Sequence, residues 1–487
     1  MKNSNIRNIN SKFLRILCLN ILTLTFLSFQ ASAQLKAFPE AQGFGAYASG
    51  GRNGNVIKVT TLAASGPGSL QSAVAQSGAR IIVFDVSGII TADIEIQHGD
   101  ITIAGQTAPG AGITLVGHLT TTYGEDINNI IIRHMRIRPP NPNAQWPPNQ
   151  HDGIQFSSAN NIILDHVDVS HGADENIDMW DGANHITIQW SNISFPIYDP
   201  GNGWDHNKGI LNHRPCLDDN SCDGNSRTGG FISIHHNYFA HARNRTPALS
   251  VGPAEVKNNL TYNGREGFVH HNVVADGQFN IVGNVYIAGP SISMSPFWFD
   301  PENDSPPIQT QYWLQDNLVE DPGSYDGVVN NPWDDANFTN EYTFACCGIV
   351  DTQFNQVGEF DFSSQANVPI SISNSSSVEA ILVEKVGAFP RDIVARKSLT
   401  DLQTRTGQWD NYRPPNLMDG LTATTPLLDT DGDGMPDSWE TQNGLNLNNP
   451  NDHTNVLPSG YTAIEEYINQ VASELIGDVI FINGFEL

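Results

Sequence analysis

Short runs of β-branched residues recur along most of this chain, and each run ends at asparagine, glycine or histidine. One phrase, NNIIIRHMRI at 128–137, is followed by related copies at residues 160–169, 183–193, 231–239, 255–260 and 280–286. Because alternate residues of a strand face opposite sides, the Ile and Val positions predict a continuous buried core. Copies roughly twenty to thirty residues apart, each a strand–turn–strand unit, are typical of a solenoid. The pattern therefore predicts an all-β fold, a right-handed parallel β-helix, over a β-sandwich with turns about every 8–12 residues.

The residues at the turns and near the ends of the solenoid allow further predictions. The asparagine at each turn is expected to stack on its neighbours in a ladder of side-chain amides that satisfies backbone groups. Ser69 is predicted to cap a short helix that covers the open end of the solenoid. Residues 391–403 have helical spacing and are expected to pack on the solenoid's flank.

The first 33 residues have the pattern of a secretory signal peptide. Four basic residues precede an apolar run at 16–29, and a small-residue cleavage site follows at 31–33. A membrane anchor is the alternative, but the run is shorter than the roughly 20 residues that a membrane span needs. We therefore expect a secreted, extracellular protein whose mature chain begins at Gln34.

The composition is strongly acidic. The formal net charge is −28, from 24 Lys and Arg against 52 Asp and Glu. Such a balance disfavours nucleic acid or an anionic membrane as a partner, and we expect neither. It also repels a polyanionic sugar unless metal ions or a local basic groove intervene. Many aspartates in an exported chain fit calcium binding.

Cysteines offer a limited set of disulfides. Cys18 falls within the signal segment, which leaves Cys216, Cys222, Cys346 and Cys347. An even number in an exported protein permits bridges. The short polar loop between Cys216 and Cys222 makes that pair the natural bridge, whereas the adjacent pair would form a strained bridge or stay reduced. No Cys/His spacing in the sequence indicates a zinc site.

Residues 429–440 have the spacing of a twelve-residue calcium loop, with Gly434 at the turn position. The predicted ligands stand at the first, third, fifth, seventh, ninth and twelfth positions and are Asp429, Asp431, Asp433, the Met435 carbonyl, Asp437 and Glu440. An acidic disordered linker is the alternative. We expect a structural Ca²⁺ here, and a short helix near 461–469 that packs against Trp439.

The chain then divides into five predicted parts. After the signal peptide at 1–33, the parallel β-helix takes residues 34–412, and a Pro/Thr-rich linker follows at 413–428. An EF-hand-like calcium-binding module is expected at 429–474. An apolar tail of unassigned role, 475–487, ends the chain.

Six phrases occur in one order along the chain: FPEAQGFG at 38–45, GPGSL at 66–70, IVFDVSGI at 82–89, ILDH at 163–166, HHNYF at 235–239 and RTP at 245–247. Together they resemble the pectate lyases of polysaccharide lyase family 1, from about residue 38 to 410. The resemblance implies an enzyme that cleaves pectate (de-esterified homogalacturonan) by calcium-assisted β-elimination, giving unsaturated oligogalacturonides.

The resemblance also implies metal ligands. Asp152 and Asp174 match calcium-binding aspartates of the family, and both could instead cap turns. The family usually has a further ligand four positions before Asp174, where this chain has Ser170; Glu175 could compensate. Asp178 matches an acidic residue that flanks the metal site and is expected to be structural.

Basic residues of the family's active site have counterparts here. Arg245 matches the arginine that abstracts the proton, and Lys208 matches a lysine that contacts a substrate carboxylate. Because arginine stays protonated under ordinary conditions, Arg245 acts either through a small neutral fraction or by stabilising the enolate while hydroxide takes the proton. Where the family often has a second arginine, this chain has Ser250, so Arg243 or Arg265 would have to bind the substrate carboxylate.

Two other functions remain open at this point. One is a lyase that acts on methyl-esterified pectin or on another uronan, and the activity on esterified pectin would need metal-binding aspartates less. The other is a non-catalytic solenoid that binds cell-wall polysaccharide. His166, His235 and His236 lie within repeat copies, and we expect them to face inward or stack rather than act as the base. The protein is expected to act as a monomer.

Overall fold

The computed structural model describes residues 34–140, 151–198, 206–212, 229–270, 277–291, 294–299, 311–322, 324–330, 344–345, 348–349, 358–410 and 412–483. The predicted signal segment and all five cysteines lie outside the described residues. The described residues from Lys36 onward belong to one compact unit. The predicted boundaries at 412, 428 and 474 remain predictions.

Three sheets of parallel strands carry the fold, and the chain visits them in the same order on successive coils. Sheet 1 consists of Asn55–Val59, Arg80–Phe84, Ile101–Ala104, Asn128–Arg133, Asn160–Asp165, Asn184–Gln189, Gly230–His235, Ala254–Lys257, Gln278–Val282 and Gln311–Gln315. Sheet 2 consists of Gly88–Thr91, Ile113–Val116, Met135–Ile137, Asp168–Ser170, Asn192–Ser194, Tyr238–Ala240, Leu260–Tyr262, Val285–Ile287, Asn317–Glu320 and the antiparallel edge strand Asp326–Val329.

Sheet 3 completes each coil. It consists of Ile94–Ile96, Leu119–Thr121, Ile154–Ser157, Glu175–Trp180, Lys208–Asn212, Ala248–Leu249, Glu266–His270 and Ser295–Phe299. A separate antiparallel pair joins Phe344–Ala345 to Gly348–Ile349. The predicted right-handed parallel β-helix is confirmed.

Helices lie at the ends and on the flanks of the solenoid. They are α1 (Leu70–Val74), α2 (Ser375–Lys385), α3 (Ile393–Thr404), α4 (Asp437–Asn443) and α5 (Ala463–Asn483), with single 3₁₀ turns at Gly105–Thr107 and Asp452–Thr454. No helix in the part of the chain that the structure describes is both long enough and apolar enough to cross a membrane.

The predicted isoleucine positions form the centre of the core. Ile130, Ile162, Ile186 and Ile232 are partners from strand to strand of sheet 1, and each is fully buried. Burying one such side chain contributes about 1.5–3 kcal/mol. Because the coils repeat in register, this contribution recurs along the length of the solenoid.

An asparagine ladder lines the turn between sheets 1 and 2. The side-chain amides of Asn237, Asn259 and Asn284 each donate to the next asparagine oxygen along the stack at 3.0 Å, which ends at Asn317. The same oxygens accept the backbone N–H groups of Asn237, Asn259 and Asn284. The predicted ladder is therefore confirmed in this part of the chain.

Aromatic rings continue the stacking on the neighbouring turn positions. His134, His166, Trp190 and His236 all have left-handed backbones, and their rings stack from coil to coil with centroids 4.3–6.1 Å apart. His235 is fully buried against the edge of His236. As the sequence indicated, these histidines stack or face inward.

Residues 38–45, the first of the six phrases that resemble the family, pack on the outer face of sheet 1. Phe38 lies in an apolar cluster with Ile131 and Ile163 of that face. The N–H of Gly45 donates to the Thr187 hydroxyl at 2.9 Å. A Cβ at Gly45 would lie only 2.0 Å from the Ile162 carbonyl oxygen, so only glycine permits this approach.

All three helices expected from the sequence are present, although α5 extends well beyond the short helix predicted near 461–469, and its Tyr467 packs against Trp439. The Ser69 hydroxyl accepts the Ser72 N–H at the start of α1, and α3 packs its Leu399 and Leu402 against sheet 2. The N-cap of α3, Asp392, also accepts hydrogen bonds from the buried Arg138 at 3.0–3.2 Å. This ion pair fixes α3 to the solenoid.

Loss of one rung of the asparagine ladder is expected to destabilise the fold. Asn259→Ala removes the bonds of its amide to the Ile234 carbonyl and the Asn284 oxygen, and it leaves the buried N–H of Asn237 without its acceptor. We expect the free energy of unfolding to fall by about 3 kcal/mol, measured by urea denaturation. The exposed Asn448→Ala should change it by less than about 0.5 kcal/mol; equal losses in the two variants would contradict the ladder's role.

Candidate active site

Charged side chains gather where neighbouring strands of sheet 3 begin. Glu175 and Lys208 stand opposite each other in register, and Lys208 pairs in turn with Asn244, the residue before Arg245. Because parallel strands start at the same edge of the sheet, residues far apart in the sequence become neighbours. The predicted residues Glu175, Lys208 and Arg245 are thus brought together.

Three carboxylates lie close to one another beside this edge. Ligand oxygens of Asp152, Glu175 and Asp178 are all within 4.8 Å of one another, and the three residues are buried. Asp152 accepts the Glu175 N–H at 2.8 Å, whereas one carboxylate oxygen of Asp178 has no hydrogen-bond partner among the described residues. Oxygen ligands of this kind suit a hard cation such as Ca²⁺.

Burial and mutual repulsion disfavour the ionised forms of two of these groups. Desolvation, with the charge of Asp174, raises the pKa of Asp152 well above its usual value. Desolvation, with the charges of Asp152 and Asp174, does the same to the pKa of Asp178. A bound cation would relieve both effects.

Asp174 has different partners from the cluster. Its Oδ1 lies 2.9 Å from His206 Nδ1 and accepts a hydrogen bond from Lys208 Nζ. Although burial opposes ionisation, the hydrogen bond from His206 and the charge of Lys208 lower the pKa of Asp174. The structure therefore places this predicted metal ligand in an ion pair, and Asp178 in the carboxylate cluster.

Arg245 is the cation nearest to the cluster's Glu175. Its guanidinium donates to Glu175, and Lys208 Nζ lies 3.4 Å from the same carboxylate oxygen. The Arg245 backbone is left-handed, with φ 65°. Desolvation lowers the pKa of Arg245, against the opposing charges of Asp174, Glu266 and Asp152.

The other two arginines have partners outside the carboxylate cluster. The guanidinium of Arg243 lies 6.0 Å from the centre of the Trp409 ring, a cation–π distance. Arg265 forms an ion pair with Glu266. Arg243 and Arg265 therefore contact Trp409 and Glu266, two residues outside the carboxylate cluster.

The two serines that replace family residues are buried. The Ser170 hydroxyl lies 3.2 Å from that of Ser194 in sheet 2, so position 170 does not contribute to the carboxylate cluster. The Ser250 N–H donates to the Asn212 carbonyl.

A second set of acidic residues lies in the C-terminal loop. Ligand oxygens of Asp429, Asp431 and Asp433 come within 4.8 Å of one another. A second group of the same size joins Asp433 to Glu440 and Asp452. The sequence pattern missed Asp452, because it lies outside the twelve-residue loop.

Asp437, a further predicted ligand of the loop, has a different partner. Asp437 accepts hydrogen bonds from the N–H and hydroxyl of Thr430, at 2.7 and 2.6 Å, and is not among the grouped acids. Met435 is fully buried. The described residues thus hold two acidic clusters that could bind a metal ion, one on sheet 3 and one in this loop.

A histidine-containing group in the turns is less suited to a metal. His134, Asp165 and His166 also come within ligand distance of one another. Asp165 already accepts hydrogen bonds from Arg133 and Gln189 at 2.8 Å each, and the two histidine rings stack. These contacts give the three residues a structural role in the solenoid.

Comparison with known proteins identifies the family. No family model matches the sequence. A probable pectate lyase C of Aspergillus fumigatus is 33% identical over 451 residues, covering 91% of this chain and 95% of that protein. Another, from Aspergillus flavus, is 32% identical over 463 residues, 94% of this chain and 97% of the relative.

Solved structures were compared as well. A Bacillus subtilis pectate lyase aligns with a TM-score of 0.48 and 16% identity, over 74% of this chain and 99% of that one. At 33% identity over nearly the whole of its curated relative, this chain belongs to the pectate lyases of polysaccharide lyase family 1.

Proposed function

We propose that this protein cleaves de-esterified homogalacturonan by calcium-assisted β-elimination and releases unsaturated oligogalacturonides. The observation that carries the proposal is the contact between a buried carboxylate cluster and two cations. Asp152, Glu175 and Asp178 supply the carboxylates. Lys208 and Arg245 supply the cations, and both contact Glu175. The proposed site is thus suited to a metal ion and an anionic sugar at once.

The reaction sets a clear electrostatic requirement. β-Elimination removes the C5 proton of a uronate residue and expels the glycosidic oxygen at C4, so negative charge develops beside a carboxylate that is already ionised. When bound, Ca²⁺ would neutralise that carboxylate and so make C5 more acidic. Asp152, Glu175 and Asp178 would hold the ion, and Asp174 is a further carboxylate of the same edge.

Arg245 is proposed to act at C5. Its desolvated position lowers its pKa, which increases the neutral fraction available to accept a proton. The same position would let a protonated Arg245 stabilise the developing enolate while hydroxide accepts the proton. In both roles the guanidinium must leave or share its contact with Glu175 when substrate binds.

Lys208 is proposed to bind a substrate carboxylate. Its ammonium group contacts Asp174 and lies 3.4 Å from Glu175, so it is held at the edge of the cluster as a point charge. A uronate carboxylate would replace one of these acidic partners. Arg243, close to the Trp409 ring, is the proposed second contact for the sugar chain.

The alternatives account less well for these contacts. A lyase for methyl-esterified pectin would act on a neutral ester and would have little use for three buried carboxylates. A non-catalytic binding protein would not require Arg245 to lose hydration beside Glu175, since burying charge is costly. Secretion through residues 1–33 and action as a monomer complete the proposal.

The substrate and metal requirement can be tested together. Incubation of the chain from Gln34 onward with polygalacturonate and Ca²⁺ should produce a rise in the ultraviolet absorbance of unsaturated products, and a chelator should abolish it. No rise at alkaline pH with added Ca²⁺ would refute the proposal. A rise that survives chelation and is larger on methyl-esterified pectin would favour the ester-specific lyase.

The role of Arg245 can be tested by substitution. Arg245→Ala should lower kcat at least about 100-fold, equivalent to about 2.7 kcal/mol of transition-state stabilisation, in the same absorbance assay. The matched control is Arg405→Ala, because Arg405 pairs with Glu379 and Glu320 on the flank. Near-normal kcat in Arg245→Ala, with an unchanged melting temperature, would remove this residue from the mechanism.

A further inference from the structure

The C-terminal acidic residues form two overlapping groups that share one side chain. Asp433 lies within 4.8 Å of Asp429 and Asp431 in the first group, and of Glu440 and Asp452 in the second. The second group joins the end of the calcium-loop pattern to a 3₁₀ turn that follows it. Asp433 therefore lies close to acidic residues that precede it in the sequence and to others that follow it.

Glu440 is the observation that points to a ligand. Its side chain is fully buried, yet neither carboxylate oxygen has a hydrogen-bond partner among the described residues. A buried polar group without a partner is strongly unfavourable, and more so when it is ionised. The groups that lie within ligand distance of Glu440 are the carboxylates of Asp433 and Asp452, which cannot donate when ionised.

Asp433 and Asp452, the two aspartates next to Glu440, each use one carboxylate oxygen to accept a backbone N–H. Asp452 accepts the Asn446 N–H at 2.9 Å, and Asp433 accepts the Met435 N–H at 2.9 Å. The second oxygen of each is buried without a partner in the described part of the chain. Backbone N–H groups thus fix the orientation of these carboxylates and leave the remaining oxygens for another ligand.

The charge of the groups favours a bound cation. Lys58 neutralises part of the first group, through a 2.8 Å contact with Asp429, and it is shared with Asp85. The two unpartnered oxygens of Glu440 are not relieved by that contact. An all-oxygen set of carboxylates suits Ca²⁺, which accepts irregular arrangements of six to eight oxygen ligands, better than Zn²⁺ or Cu²⁺.

The same loop is pressed against the first coils of the solenoid. Met435 and Trp439 pack with Ile81 and Val83 of sheet 1 in one buried cluster. At Gly434, with φ 93°, an added Cβ would lie 2.6 Å from the nearest methyl carbon of Val56.

Polar contacts fasten α5 to the same surface. Arg52 forms a 2.7 Å ion pair with Glu465, and Arg133 donates to Asn469 at 2.9 Å. Because α5 also supplies Ile464 to the buried cluster, the loop, α5 and sheet 1 are packed as one unit.

We propose that the carboxylates of Asp429, Asp431, Asp433, Glu440 and Asp452 bind one Ca²⁺, and that this ion clamps α4 and α5 onto sheet 1. The ion stabilises the solenoid and is separate from the carboxylate cluster of sheet 3. Asp437, which the sequence pattern placed among the ligands, instead holds Thr430. The clamp does not rest on the proposed reaction.

The test compares calcium-induced stabilisation in the chain from Gln34 onward. Thermal unfolding is followed by calorimetry with excess Ca²⁺ and with a chelator, in an Asp178→Asn background that disables the sheet 3 cluster. We expect Ca²⁺ to raise the melting temperature by about 5 °C or more. Glu440→Gln and Asp452→Asn, each made separately, should lose most of this rise, while Asp437→Asn should retain it.

Two outcomes would overturn the proposal. One is an absence of calcium-induced stabilisation in the Asp178→Asn protein. The other is a loss of the calcium-induced rise in melting temperature in Asp437→Asn but not in Asp452→Asn. That result would favour the ligand set predicted from the sequence. Calorimetric titration at low temperature provides a second readout, in which Asp452→Asn should weaken Ca²⁺ binding at least about tenfold. None of these measurements depends on lyase activity.

Discussion

The in-register hydrogen bonding of each coil to the next is the constraint on which the rest of this structure depends. It aligns Ile162 with Ile130 and Ile186 in the core, and it allows Asn259 to bond to its equivalents above and below. A shift by one residue would turn the buried positions outward and break the ladder. This requirement for register explains why the same pattern of residues repeats along the sequence.

The candidate active site is a product of the same register. Its residues lie between Asp152 and Arg245 in the sequence, yet they meet at one edge of sheet 3 because successive strands begin there. At this edge Glu175 contacts both Lys208 and Arg245. In a protein of net charge −28, Lys208 and Arg245 are the groups of this edge that could attract a polyanionic sugar.

Much of this could be predicted from the sequence, because the signals are local. The strand repeats, the Ser69 cap and the helix near 391–403 follow from short-range spacing, and the structure contains all of them. The division of acidic residues was harder to predict. Whether Asp178 or Asp174 joins the carboxylate cluster depends on neighbours in adjacent coils, chiefly Lys208 and His206, which no local pattern reports.

The C-terminal loop illustrates the same limit. Its spacing predicted a calcium loop at 429–440, and the structure brings Asp429, Asp431 and Asp433 of that loop within 4.8 Å of one another. The pattern could not predict that Asp437 would bond to Thr430, or that Asp452 would approach Glu440. Those positions depend on how the following 3₁₀ turn and α5 pack on sheet 1, which is a tertiary effect.

The central claim is that the carboxylates of sheet 3 hold a metal ion beside the uronate. Diffraction from crystals of the Arg245→Ala variant, soaked with Ca²⁺ and oligogalacturonate, tests it most directly. We expect an anomalous peak among Asp152, Glu175 and Asp178, with metal–oxygen distances of about 2.3–2.6 Å. A visible sugar chain on sheet 3 with no metal peak among these three residues would contradict the account.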